Sequence, residues 1–136
     1  MNASNYLELA LLDHLLGGPD YTRPATVYFA LFTTAPSESA GGTEVSGGSY
    51  ARVAVTNNST NFPAATSPSG VGTKLNGTAI IFPQSSGSWG TVTHFGIFDA
   101  ASAGNMLIYG TLTSARAVTT GDTPKFLASG FSLTAD

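Results

Sequence analysis

The sequence contains no cysteine, and charge is scarce: five Lys and Arg against eight Asp and Glu, 10% of 136 residues. The first absence excludes disulfides, thiolate metal sites and cysteine nucleophiles. The second sets the chain apart from an average soluble protein, in which roughly a quarter of residues are charged. Thr, Ser, Ala, Asn and 16 glycines take the place of charge. A neutral, polar surface of this kind suits packing against neighbours more than free solution. The five cations, Arg23, Arg52, Lys74, Arg116 and Lys125, are scattered, and the net charge is −3. Binding along a phosphate backbone needs a clustered basic footprint, so no nucleic-acid partner is expected. No apolar run is long enough to span a bilayer, so no membrane is expected either. The start, Met1-Asn-Ala-Ser-Asn, lacks the basic leader of a secretory signal, and Glu8 and Asp13 interrupt the leucines that follow. Synthesis in a cytoplasm is the expectation.

What is present is a run of strand patterns. A single domain of 1–136 is expected, with a helix over 5–16 and a β-sandwich over 26–134. The tightest pattern is Trp89–Asp99, with Trp89, Thr91, Thr93, Phe95 and Ile97 on one face and Val92, His94 and Phe98 on the other. Large apolar groups on both faces mark a central strand. Val27, Phe29 and Leu31 alternate with Tyr28, Ala30 and Phe32 in the same way, which predicts a second interior strand. Tyr50–Thr56 reads as a strand with Ala51, Val53 and Val55 inward and Tyr50, Arg52 and Thr56 outward. Leu75–Phe82 reads as another, and Met106–Thr113 as the antiparallel partner of Val92–Phe98. Shorter strands are expected near Asn61–Phe62, over Ala115–Thr119, at Lys125–Leu127 and over Gly130–Thr134, where Phe131 and Leu133 face inward. Seven or eight short strands at turn spacings of roughly 8–12 residues predict an all-β, antiparallel β-sandwich or jelly-roll-like domain. Two long neutral segments, Ser37–Ser49 and Asn57–Thr73, are expected as surface loops.

Asn5 with Glu8 three positions on reads as a capping box, and Gly17-Gly18-Pro19 as the stop. Between them Leu7, Leu9, Leu11, Leu12, Leu15 and Leu16 spread over roughly 200° of arc, wider than the ~100° stripe one docking face needs. Glu8 falls inside that arc. A helix so apolar is expected either to sink between sheet and loops or to touch a second molecule. Leu7, Leu11, Leu15 and Leu16, with Glu44, Val45 and Tyr50 from the first long loop and its exit, are the expected interface residues.

Chemistry is harder to find. His94 and Asp99 could join a triad, but His94 lies mid-strand, Asp99 opens a turn, and no nucleophile motif such as G-x-S-x-G accompanies them. The isolated His14 and His94 give little for a metal, and the carboxylates Asp13, Asp20, Glu38, Glu44 and Asp122 sit among turn residues. Trp89, Tyr50 and Tyr109 could stack on a sugar, though core packing is the plainer use of Trp89. No catalytic, cofactor-binding or metal-binding residue is expected, and no cofactor.

Ser4-Asn-Tyr-Leu-Glu8 with Leu11-Leu-Asp-His-Leu15, Ala30-Leu-Phe-Thr-Thr-Ala-Pro36, Tyr50-Ala-Arg-Val-Ala-Val55 and Ser88-Trp-Gly-Thr-Val-Thr-His-Phe-Gly-Ile-Phe-Asp99 resemble a family of small tailed-bacteriophage proteins often labelled phage tail fibre protein. The resemblance runs from about Ser4 to Leu133. It implies a virion structural component and supplies no catalytic residues. No repeat or heptad of a fibre shaft is present. The expectation is therefore a capsid decoration or cement-type protein bound to a repeating lattice, on the capsid exterior. A tail fibre or tail-mounted receptor-binding module is the alternative. Expected partners are major capsid or tail proteins and further copies of the chain as a homo-oligomer, with a host surface glycan as candidate ligand.

Overall fold

The computed structural model describes residues 2–135. In chain order the elements are β1 (Asn2–Ala3), α1 (Asn5–Leu15), β2 (Thr26–Thr34), β3 (Thr43–Glu44), β4 (Val53–Thr56), β5 (Gly72–Leu75), β6 (Ile80–Ile81), β7 (Gly90–Phe98), β8 (Met106–Val118), β9 (Lys125–Phe126) and β10 (Ser132–Ala135). The antiparallel all-β class expected from the sequence is the class observed.

β7 is central, as its two apolar faces require. It pairs antiparallel with β2 on one side and with β8 on the other. The free side of β2 takes β4 along Thr26–Phe29 and β3 at Phe32 and Thr34, while β1 adds to β8 at Ile108 and Tyr109. These six strands form one sheet, and the ribbons β5–β10 and β6–β9 supply the facing layer. Between them lies the main core, with Phe29, Leu31, Phe95 and Ile97 from the sheet and Ile80, Phe82 and Phe131 from the opposite side. Phe29 sits at its middle with no exposed surface, edge-on to Phe131 at 5.3 Å and stacked on Phe62 at 6.3 Å. The outer face of the sheet carries a second cluster of Ala30, Phe32, Phe98, Met106 and Tyr109. Tyr28 packs against it. Both faces of β2 are thus used, which explains why its sequence is apolar throughout.

Two irregularities decide which side chains go where. Ile97 pairs with Ile108 but Phe98 pairs with Met106, so Leu107 is an extra residue. Leu107 therefore joins the main core while Met106 and Tyr109 join the outer cluster. Between Val92 and His94 the partner on β8 jumps from Arg116 to Thr111. Simple alternation placed Val92 with His94 and Phe98; this irregularity turns it instead into the main core with Phe95 and Ile97.

Other expectations need correction. Leu75–Phe82 is not one strand: β5 ends at Leu75, the chain turns through Asn76–Ala79, and β6 is only Ile80–Ile81. Asn61–Phe62 is a turn. The Asn58 side chain accepts from the Thr60 and Asn61 N–H groups there, and the Phe62 ring drops onto Phe29. Ala115–Thr119 is not separate, because β8 runs unbroken to Val118. Strand β4 begins at Val53, so Tyr50, Ala51 and Arg52 lie before it, and Ala51 is exposed rather than inward.

Helix α1 starts at Asn5, the residue expected to cap it, so its cap lies one residue earlier than expected. Ser4 is the N-cap, its hydroxyl accepting from the Leu7 N–H at 3.2 Å and donating to the Met106 carbonyl. The Ser4 N–H bonds the Leu107 carbonyl at 2.9 Å, so the cap also fastens the helix to β8. Asn5 and Glu8 consequently form no capping box. At the other end Gly17, at φ 81°, takes the left-handed position, and the Gly18 N–H reaches the Asp13 carbonyl at 2.9 Å.

Candidate functional site

The most unusual surface is the outward side of α1. No residue of the helix is buried. Only Leu7 packs on the main core; Leu9, Leu12, Leu15 and the C-capping Leu16 are 64%, 60%, 72% and 83% exposed. Tyr6 and Leu11 are also exposed. Fully burying one leucine is worth about 1.5–3 kcal/mol. A helix that leaves this many in water forgoes several times that amount. Isolated exposed leucines need no explanation, but a contiguous group of them marks a contact surface.

The other expected interface residues are placed differently. The Val45 side chain is in the main core. The Tyr50 ring stacks on Phe82 and lies edge-on to Trp89 at 5.3 Å. Its hydroxyl accepts from the Leu31 N–H at 3.0 Å and donates to Glu44 Oε1 at 2.9 Å. Burial pushes the Tyr50 phenol well above its usual range, and the Glu44 carboxylate adds to the rise while the Leu31 bond opposes it.

Glu44 also meets Arg52 in a two-pronged ion pair, Nε to Oε1 and Nη2 to Oε2, both at 2.8 Å. Nη1 of Arg52 donates to the Ala100 and Ala103 carbonyls at 2.9 Å, and the guanidinium lies 3.6 Å from the centroid of the Phe98 ring. Arg52 faces the outer side of the sheet as expected, but only 7% of its side chain is exposed, whereas Tyr50, expected outward with it, packs against the main core. Alternation missed this residue because its partners come from β3 and from the loop after β7. The clamp ties the first long loop, the entry to β4 and the β7–β8 hairpin into one rigid corner. Arg52→Ala is expected to cost about 3 kcal/mol in urea unfolding, since it leaves Glu44 and two carbonyls without their partner. Arg52→Lys should recover only part of that loss, lacking the planar fork.

The residues considered for chemistry have structural partners. Both Asp99 oxygens accept from Asn105, at 2.7 Å from N and 2.9 Å from Nδ2, closing the hairpin loop. His94 Nδ1 lies 2.7 Å from Thr93 Oγ1. Nδ1 of His14 lies 3.1 Å from the Tyr21 N–H, which donates to it, and 3.6 Å from the carboxylate of Asp20. The Trp89 ring is in the core and its Nε1 donates to the Gly48 carbonyl at 2.8 Å, so it offers no face to a sugar. Gly48 has φ +55°, and a Cβ there would come within 2.9 Å of that same Nε1. Among the described residues no group of three or more His, Cys, Asp or Glu side chains could hold a metal ion. No helix among them is long and apolar enough to cross a membrane. An open groove of about 800 Å³ lies between the second half of β8 and residues 122–130, floored by Phe82, Val92 and Phe126 and edged by Arg116 and Lys125.

The sandwich thus carries a corner whose polar groups satisfy one another and a helix whose leucines face outward. The family model described as podophage GP4 fiber I protein gp80 matches residues 2–134, and the chain belongs to that family. This agrees with the phage tail fibre resemblance in the sequence and gives the chain a structural place in the virion. No curated protein matches it.

Proposed function

We propose that this protein is a non-enzymatic module of a podophage fibre, mounted on the tail and held to other virion proteins through the outward side of α1. The observation that carries the attachment is the leucine surface, set on a helix that Ser4 and Leu7 fix to the sandwich. The sequence favoured capsid decoration over the tail. The family match supports the fibre alternative, and the absence of shaft repeats suits a compact unit within a fibre assembly more than the shaft itself. Of the expected interface residues, Leu11, Leu15 and Leu16 serve this contact. Leu7, Glu44, Val45 and Tyr50 support it from within by holding the helix and the loop in place.

The test is a double substitution, Leu11→Gln with Leu15→Gln, which keeps good helix formers at exposed positions. The isolated protein should retain its stability to within about 1 kcal/mol. Its incorporation into particles should fall by about tenfold or more. Normal incorporation of the folded variant would refute attachment through this face, and unfolding of the free variant would make the helix part of the core.

A further inference from the structure

The outward side of α1 and the open groove beside β8 are complementary in shape and in charge. Leu7 and Ala10, both half-buried, mark the inward side of the helix. At about 100° per residue, Leu12 points almost directly away from them, with Leu16 and Leu9 about 40° and 60° further round. These three leucines form a ridge. Glu8 lies about 40° outside the Leu12 end of the ridge, and Asp13 about 40° outside its Leu9 end. Each shoulder of the ridge thus carries one carboxylate. Leu15, about two turns along from Glu8, shares its shoulder. The helix holds no Lys or Arg, and neither acid forms an ion pair among the described residues.

The groove has the opposite arrangement. Its floor is apolar, and its walls are the second half of β8 and residues 122–130. Arg116 stands on the first wall and pairs with Val92, so it shares the face of that floor residue. Lys125 stands at the rim of the second. Both cations are exposed, and neither forms an ion pair among the described residues. The chain has only five Lys and Arg, so two at one groove concentrate a scarce charge. Asp122 also lines the groove, but its Oδ2 accepts from the Thr119 N–H and hydroxyl at 2.8 and 3.2 Å. The helix has 11 residues, so it is about 16 Å long and fills roughly 1,300–1,800 Å³ at a diameter of roughly 10–12 Å. Sunk to half its depth it needs roughly 650–900 Å³. The groove offers about 800 Å³.

The helix cannot fill the groove of its own chain. Ser4 fastens it to the Met106 and Leu107 carbonyls at the start of β8, whereas the groove runs along Leu112–Val118 and no α1 residue lines it. From Met106 to Arg116 the strand covers roughly 30 Å, about twice the length of the helix. We infer that α1 of one copy seats in the groove of a second copy of this chain, its leucine ridge on the apolar floor and Glu8 and Asp13 against Arg116 and Lys125. This rests on the attachment through α1 proposed above and names the surface that receives it. Helix and groove are different surfaces, so the contact is head-to-tail: each copy gives its helix to one neighbour and receives that of another. One such contact buries on the order of a few hundred Å² per partner, against roughly 800 Å² in a stable interface. It therefore holds by repetition within an assembly more than in isolated pairs.

The test is sedimentation of the purified full chain, with the helicity and urea stability of each variant checked. Wild type is expected to self-associate with a Kd on the order of 10–100 µM. A helix variant, Leu9→Gln with Leu12→Gln, and a groove variant, Arg116→Glu with Lys125→Glu, should each weaken this about tenfold or more. Mixed together, the two variants should form one-to-one pairs at close to wild-type affinity, because the first keeps its groove and the second its helix. Wild type that stays monomeric at about 500 µM, a groove variant that associates like wild type, or a mixture that fails to pair would each overturn docking between copies. Incorporation into particles separates that failure from failure of the attachment itself. Reduced incorporation of the folded helix variant leaves attachment through α1 standing, and normal incorporation removes it.

Discussion

Phe29→Ala is expected to lose about 4 kcal/mol of folding stability, near the upper end for aromatic truncation in a core. Phe29 is fully enclosed and meets Phe62, Phe126 and Phe131, which arrive from three separate segments. Its backbone pairs with Ile97 on β7 and Val53 on β4, so the cavity would open beneath the best-anchored part of the sheet. Collapse to fill it would require strand movement. The measurement is equilibrium urea unfolding, with a large fall in midpoint and an unchanged slope. Phe29→Leu, which removes less volume, should cost under half as much. A loss below about 2 kcal/mol for alanine would mean that the surrounding rings close the cavity.

Asn76→Ala should cost about 3 kcal/mol although it removes a small polar side chain, because three backbone groups each lose a hydrogen bond to a side chain that is itself buried. Asn76 is 1% exposed. Its Nδ2 donates to the Thr78 carbonyl at 2.9 Å and the Leu127 carbonyl at 2.8 Å, and its Oδ1 accepts from the Phe131 N–H at 2.9 Å. It fastens the turn after β5 to the segment leading into β10. Asn76→Asp tests the account more sharply. It keeps the acceptor for Phe131 but sets a carboxylate against two carbonyl oxygens, so its loss should exceed that of alanine. An aspartate variant as stable as wild type would contradict the assigned bonds.

These two sites show what the sequence could and could not disclose. The apolar alternation of β2 and β7 is local, and it revealed two central strands because a residue flanked on both faces by core must be apolar on both. Asn76 was hidden inside an apparent strand, Leu75–Phe82, since Leu75, Ile80 and Phe82 are the expected residue types. The signal that could have exposed it is the Asn76-Gly77 turn dipeptide. Arg52 had no such signal: its carboxylate, carbonyl and aromatic partners come from β3, the hairpin loop and the end of β7. The residue inserted at Leu107 is equally silent, because a bulge changes faces without changing composition. The leucine arc of α1 was legible as too wide for one docking surface. Only the structure shows that Leu7 takes the inner side and the rest face outward, and that Ser4 rather than Asn5 caps the helix.

The most direct measurement of the central claim is imaging of the virion at a resolution that places this chain and its helix. The account predicts density in a fibre on the tail, with the Leu9, Leu12 and Leu15 side of α1 covered by another protein. Density repeated over the capsid shell, or a fibre in which that side of α1 faces solvent, would contradict it.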